Sequence, residues 1–286
     1  MEIRQLSPNE FLALLSEIPQ PPKTLWAVGR LPDPDLKLLA VVGSRDYTSY
    51  GQQVVQTLLG QLAGQPIGIV SGLALGIDAL AHEAALANQF YTLAVPGSGL
   101  DESVLYPATN RRLARRILEA GGGLLSELSP TTPAAKWTFP QRNRLMAGMC
   151  HATLLIEAGE KSGTLITARL ATDYNREVLA VPGSIFSKTA KGVHQFIKLG
   201  ATPVTTGADI LEALQLEPIP TAGQTTTPTK LPPLETEIMK ALSEPIERDT
   251  LIRSLKRPLP EVTAALMQLE MQGYIALSDG HYQALV

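Results

Sequence analysis

The sequence predicts a doubly wound α/β fold with a mostly parallel sheet, followed by a small winged-helix-like domain. Three observations carry this reading. Between residue 36 and about residue 214, short β-branched or Leu-rich runs (36–42, 67–70, 91–95, 123–128, 152–156, 177–181 and 202–204) alternate with helical patterns at 50–62, 77–88, 109–119, 142–149, 164–175 and 192–199. Short apolar runs separated by helices make βαβ units, whose strands pair in parallel and are covered on both faces. Next, residues 217–233 read EPIPTAGQTTTPTKLPP, a linker in which each residue before Pro avoids the α region. Beyond it, helical patterns at 235–242, 248–255 and 260–271 lead into two strands joined by a tight Asp279-Gly280 turn. The expected domains are an amino-terminal extension (1–35) packed on the main domain, the main α/β domain (36–216), the linker (217–233) and the terminal domain (234–286).

Composition narrows the function. With 286 residues, 44% of them hydrophobic and 18% charged, the chain can bury a large core and is not a disordered polyelectrolyte. It contains no apolar run of about 18 residues, so no membrane-spanning helix is expected. Residues 1–10 are polar and lack the layout of a secretory signal. Cys150 is the single cysteine and the four histidines lie far apart, so neither an internal disulfide nor a zinc site is expected. A cytoplasmic location and no metal or cofactor follow as expectations.

A net charge of −3 conceals a segregated distribution. The windows 103–118, 128–156 and 178–208 contain no Asp or Glu, yet they hold Arg111, Arg112, Arg115, Arg116, Lys136, Arg142, Arg144, Lys188, Lys191 and Lys198. Buried strands account for missing acids at 152–156 and 178–183 but not for the arginine cluster, which favours a polyanionic partner.

Ligands of open α/β sheets bind beyond the carboxyl ends of the strands, so the residues after each run carry the functional argument. The first run ends in Gly43-Ser44-Arg45: a glycine for close backbone approach, a hydroxyl and a planar guanidinium, a phosphate-binding combination that is equally an ordinary turn with a surface arginine. No Gly-x-Gly-x-x-Gly follows, which argues against a redox dinucleotide. The second run leads into Ser71-Gly72-Leu73-Ala74-Leu75-Gly76-Ile77-Asp78, where Gly72 and Gly76 form a candidate anion nest at a helix start. Asp78 suits a capping role, and His82 lies one turn on; without a third partner the pair reads as structural rather than acid–base.

After the third run, Tyr106 and Pro107 make a turn and Thr109 or Asn110 starts a helix whose first two turns hold four arginines and no acid. After the fourth, a loop runs from Lys136 through Trp137, Phe139 and Pro140 to Arg142, Asn143 and Arg144. Rings interleaved with cations suit unpaired bases and phosphates, although Trp137 and Phe139 serve equally as anchors for the loop. The fifth run gives Glu157 and then Ser162-Gly163-Thr164, a second anion nest that lacks the Lys-Ser/Thr pair of a nucleoside-triphosphate loop. The sixth ends in Pro182-Gly183-Ser184 with Lys188 beyond.

Taken together and in this order, these segments resemble the DprA (Smf) family of bacterial DNA-processing proteins. The resemblance runs from about residue 20 to the end, through Gly43-Ser44-Arg45, Ser71-Gly72-Leu73-Ala74-x-Gly76-Ile77-Asp78, Tyr106-Pro107-x-x-Asn110, Phe139-Pro140-x-Arg142-Asn143-Arg144, Ser162-Gly163-Thr164 and Val181-Pro182-Gly183. It implies an extended Rossmann domain that binds single-stranded DNA, dimerises, protects incoming strands and loads the recombinase RecA during natural transformation, without enzymatic activity. It also implies that Arg45, Arg111, Arg112, Phe139, Arg142, Asn143, Arg144 and Lys188 contact DNA. The anion nests would be Gly43, Ser44, Ser71, Gly72, Gly76, Ser162, Gly163 and Thr164, with Asp78, His82, Tyr106, Pro107, Asn110 and Glu157 structural.

The chain departs from the family pattern in places. Leu75 stands where the family usually has Arg, 101–105 is longer than usual, His194 replaces Asn, and the helical amino-terminal domain of many members has no counterpart. Two other functions compete. Nucleotide phosphoribohydrolases of the related LOG family need a Glu three residues after Gly-Thr, where this chain has Thr167. A nucleotide sensor with the winged helix as output would use the same nests for a small ligand. In the terminal domain acids outnumber bases, which argues against DNA reading by that module.

Overall fold

The computed structural model describes residues 2–219, 232–242, 245–271, 274–278 and 280–284. The chain divides into two compact units, 1–219 and 220–286, which are considered separately. Most of the expected linker, 220–231, and Asp279 of the expected turn lie outside the described residues.

The first unit is built on a nine-stranded sheet. Its strands are β1 (Arg4–Gln5), β2 (Trp26–Gly29), β3 (Lys37–Val42), β4 (Ile67–Ser71), β5 (Tyr91–Ala94), β6 (Gly123–Ser126), β7 (Ala152–Leu155), β8 (Glu177–Ala180) and β9 (Thr202–Pro203). The spatial order is β1-β2-β6-β5-β4-β3-β7-β8-β9. All pairings from β6 to β9 are parallel, whereas β1 and β2 add antiparallel at one side. The amino-terminal residues are therefore strands of the main sheet and not only an extension packed on it. Trp26–Gly29 pairs with β6, whose edge would otherwise be open.

The alternation of β3 shows why these runs become strands covered on both faces. Leu38, Ala40 and Val42 join one core cluster, and Leu39 and Val41 join the other. Helices α1 (Ser49–Gln61), α2 (Ile77–Ala87), α3 (Arg111–Glu119) and α7 (Gly207–Ala213) cover the Leu39 face, and α4 (Thr138–Met149), α5 (Thr164–Asp173) and α6 (Lys191–Lys198) cover the other. Thr48 caps α1 by accepting from the Gly51 amide, and Thr206 and Asp209 form a capping box on α7. From β3 the chain winds through β4, β5 and β6 to one side, then returns through α4 to β7 on the other. The order therefore reverses between β3 and β7, where the crevice of a doubly wound sheet opens.

The second unit holds α8 (Pro233–Ala241), β10 (Ile246–Glu247), α9 (Arg248–Ser254), α10 (Leu259–Met271), β11 (Ile275–Ser278) and β12 (His281–Ala284). The strands form an antiparallel β10-β12-β11 sheet over a core that includes Ile238, Leu251, Val262, Leu266, Leu269 and Tyr282, the winged-helix arrangement. Helix α10 carries no Lys or Arg.

His82, on α2, is fully buried and its Nδ1 meets the Thr92 hydroxyl at 2.8 Å. Burial pushes its pKa down from 6.5 to about 3. The unfolded chain thus takes up a proton below pH 6.5 that the folded chain refuses, and stability falls as pH drops from there toward 3. Asp78, whose pKa burial raises, acts with the opposite sign, so the difference between variants isolates His82. Denaturant unfolding at pH 7 and 5.5 is expected to show that His82→Leu removes about 1 kcal/mol of the acid-induced loss, whatever its effect on stability at pH 7.

Candidate nucleic-acid interface

Beyond the carboxyl ends of β3, β4 and β7, four segments enclose a pocket of about 330 Å³. The turn after β3 contributes Gly43, Ser44, Arg45 and Asp46; the loop after β4 and the first turn of α2 contribute Ala74 and Asp78; the turn before α5 contributes Ser162, Gly163 and Thr164; and α4 contributes Phe139, Arg142, Asn143 and Met146. Helix α4 starts at Thr138, several residues before the expected 142, so Phe139, Arg142 and Asn143 sit on its first turns and not in a loop. The buried Thr138 hydroxyl donates to the Gly97 carbonyl at 2.5 Å and accepts from the Ala135 amide at 3.1 Å, which anchors that start, and Pro140 falls in the first turn where a missing N–H costs no helical hydrogen bond.

The floor of the pocket is ionic. Arg142 is only 7% exposed; its Nη1 donates to the Val95 carbonyl at 2.6 Å and its Nε to Asn143 Oδ1 at 3.0 Å. Beside it the buried Asp78 carboxylate accepts from the amides of Gly72 and Ala74. Burial pushes the Asp78 pKa up, with Arg142 and the two amides pulling it back, and burial pushes Arg142 down against the pull of Asp78. Both crowd Gly72, where a Cβ would lie 1.6 Å from Arg142 Nη1 and 2.5 Å from Asp78 Oδ2. Asn110 completes the loop from outside, its amide donating to the carbonyls of Leu73 and Ala74 at 2.9 and 3.1 Å.

The rim is aromatic and cationic. The exposed Arg45 guanidinium lies 5.2 Å from the Phe139 ring centroid, and Tyr106 meets the same ring edge-on with centroids 5.8 Å apart. The peptide bond between Tyr106 and Pro107 is cis. Gly76, at φ +81°, brings the loop after β4 against the backbone of Ser44 and Arg45, and the Ile77 amide donates to the Ser44 carbonyl at 3.1 Å. On the third side the Thr164 hydroxyl donates to the Gly43 carbonyl at 2.9 Å. The turns after β3, β4 and β7 are thus tied to one another by direct bonds.

Several expected site residues take other roles. Arg144 is not in the pocket: its guanidinium pairs with Glu127 at 2.5–2.6 Å and donates to the Gln20 carbonyl, both charged side chains being largely buried. Ser71 is fully buried and donates to Val41, so it reaches no ligand. The Gly72–Gly76 nest is filled by the Asp78 carboxylate and the Ser44 carbonyl, which replace an external anion. Arg111 is spent on the carbonyls of Ser103 and Leu105, Arg115 pairs with Glu102, and Arg116 pairs with Glu83. Asn110 braces a loop and does not cap α3 with its side chain. Asp78 and His82 face different partners and form no acid–base pair. Ser162 spends its hydroxyl on Thr164. Arg112 and Lys188 are exposed, with no ion pair among the described residues, and neither lines the pocket. Lys136, which the sequence placed in the loop of rings and cations, is exposed next to the exposed Trp137 and lies three residues before Phe139 in the chain.

The profile of the DNA recombination-mediator protein A family matches residues 3–215, and that of the DprA winged helix domain matches 222–281. The chain belongs to the DNA recombination-mediator protein A family. Among the family's members, Protein Smf of Escherichia coli is 37% identical over 92% of this chain and 72% of its own length, and the DNA processing protein DprA of Streptococcus pneumoniae is 43% identical over 69% and 68%. The X-ray structure of the Streptococcus pneumoniae protein superposes with a TM-score of 0.69 at 38% identity, covering 76% of each chain. A DNA processing protein A from Helicobacter pylori, solved to describe its single-stranded DNA binding mode, superposes with a TM-score of 0.65 at 28% identity over 75% of this chain and 96% of that one.

Leu75 is half-exposed beside Gly76, and the pocket lining holds two guanidiniums, Arg45 and Arg142, against the carboxylates of Asp46 and Asp78. The backbone contact at Gly76 gives a direct test. A Cβ there would lie 2.3 Å from the Ser44 carbonyl oxygen on a backbone that L side chains rarely adopt, so Gly76→Ala is expected to cost about 1–3 kcal/mol in denaturant unfolding. Leu75→Ala, one residue away and exposed, is expected to change stability by less than about 0.5 kcal/mol.

Proposed function

We propose that this chain binds single-stranded DNA along the Arg45–Phe139 rim and acts as a non-enzymatic recombination mediator. In this reading it protects incoming strands and loads RecA during natural transformation, as a cytoplasmic homodimer. The observation that carries the DNA reading is the Arg45 guanidinium held over the Phe139 ring, with Tyr106 on that ring's edge, at the crevice between β3 and β7. A cation and a ring side by side suit a phosphate and the base attached to it. The single-stranded DNA binding mode described for the Helicobacter pylori relative supports the same reading. RecA loading, dimerisation and the role in transformation rest on family membership. The absence of chemistry rests on Thr167: this buried hydroxyl lines the pocket where the phosphoribohydrolases of the LOG family carry their Glu.

The pocket's own charges balance formally, so affinity depends on few phosphate contacts. Arg45, Arg112 and Lys136 are assigned one each, with Arg142 holding the floor. Oligonucleotide binding by fluorescence anisotropy is then expected to fall with a log–log salt slope of about −2, at ~0.7 per phosphate on a single strand. Arg45→Ala is expected to reduce that slope by about 0.7 and weaken binding about tenfold, with little change in the thermal unfolding midpoint, because the Arg45 side chain is exposed and, among the described residues, its one contact is the Phe139 ring. An unchanged slope, or a preference for double-stranded over single-stranded oligonucleotides, rejects the assignment. Release of free base from nucleoside monophosphates would instead establish the hydrolase reading.

A further inference from the structure

A second cavity, about 430 Å³, opens on the same rim one strand further along, between the start of α1 and the ends of β7 and β8. Its chemistry differs from that of the first. No Lys or Arg lines it, its floor includes the buried side chains of Ile156 and Val181, and one wall is the Tyr50 ring, fixed by its hydroxyl donating to the Pro182 carbonyl at 2.5 Å. The other wall is Glu157, 3% exposed. Its carboxylate accepts three bonds: from the Thr48 and Thr189 hydroxyls on Oε1 at 2.8 and 2.7 Å, and from the Thr48 amide on Oε2 at 2.9 Å. Two carboxylate oxygens offer about four acceptor positions, and Oε2, which packs against Gly51, uses one of its two. In the loop that closes this side, Ile185 is 74% and Phe186 89% exposed, and Lys188 follows two residues later.

We propose that this cavity receives an amino-bearing nucleobase of the strand held at Arg45, with Phe186 as a stacking surface beside it. The proposal rests on the single-stranded DNA reading and adds to it a base preference. A buried carboxylate with no cation beside it rejects a phosphate, since an anion would be desolvated against like charge. It favours a flat, neutral group that presents N–H. Cytosine offers an exocyclic amine, whereas thymine turns carbonyl oxygens outward on both sides of its one N–H and would set one of them against the carboxylate. Tyr50 supplies the stacking face and the aliphatic floor excludes water, a division of labour common in small-ligand sites of this size. Continuity with the first pocket follows from the chain itself: Arg45 lines one cavity and Thr48, three residues on, lines the other. Strands β3, β7 and β8, whose ends carry the two sites, are neighbours about 5 Å apart.

The test uses the full chain with oligo-dC and oligo-dT of one length, at one salt concentration, by fluorescence anisotropy. The wild type is expected to bind dC about fivefold more tightly than dT, the worth of one net hydrogen bond. Tyr50→Ala removes the wall and Ser184→Trp plugs the lip; each is expected to bring the dC/dT ratio to about one. Arg45→Ala weakens both oligonucleotides and leaves the ratio as it was. Equal affinities in the wild type, or a preference that survives both Tyr50→Ala and Ser184→Trp, overturn the proposal while the DNA reading stands. Failure of the wild type to bind either oligonucleotide overturns both.

Discussion

The geometry of the Arg45–Phe139 rim depends on one buried pair of opposite charges. Asp78 and Arg142 come from different helices, on opposite faces of the sheet, and both lie against Gly72, in space that a side chain there would fill. Each would be costly to bury alone, and each is held by further bonds: Asp78 by two amides, Arg142 by the Val95 carbonyl and Asn143. Removing either partner strands the other in a dry interior, so the pair constrains the loop after β4, the end of β5 and the first turn of α4 together. Phe139 and Asn143, one on each side of Arg142 along the helix, inherit their positions from this arrangement. Preorganised groups of this kind lose little freedom when a ligand arrives.

Charge segregation along the chain did not become charge segregation in space. The acid-free windows contain most of the arginines considered as contacts, yet Glu83, Glu102 and Glu127 lie outside those windows and neutralise Arg116, Arg115 and Arg144 in the folded molecule. Backbone carbonyls take Arg111. Arg112, Lys136 and Lys188 stay exposed without an ion pair among the described residues, and at the pocket itself the cationic edge is Arg45, with Arg142 behind it.

Much of this was legible in the residues. The alternation of apolar runs and helical patterns predicted all seven parallel strands and the helices between them, because strands buried on both faces are apolar throughout and stand out from their surroundings. The strand ends also pointed to Gly43-Ser44-Arg45 and Ser162-Gly163-Thr164 as candidate anion-binding turns. Three things were hidden. Trp26–Gly29 is four residues long and borders proline-rich chain, so no periodicity marks it. The start of α4 was obscured by Pro140, which reads as a break unless Thr138 is known to be tied to Gly97. The fate of the nest at Gly72–Gly76 could not be read at all, because the carboxylate that fills it is supplied locally by Asp78 and looks the same in sequence whether it caps a helix or plugs a site.

The margins of the large sheet have a consequence for the behaviour of the molecule at high concentration. One flank ends in Arg4–Gln5 and the other in Thr202–Pro203, each two residues long, and the second includes a residue with no N–H to donate. A stray polypeptide laid along either border finds too few hydrogen-bonding positions to hold it in register. Nine strands can therefore stack side by side without presenting a template for fibrillar growth, even when many copies crowd together.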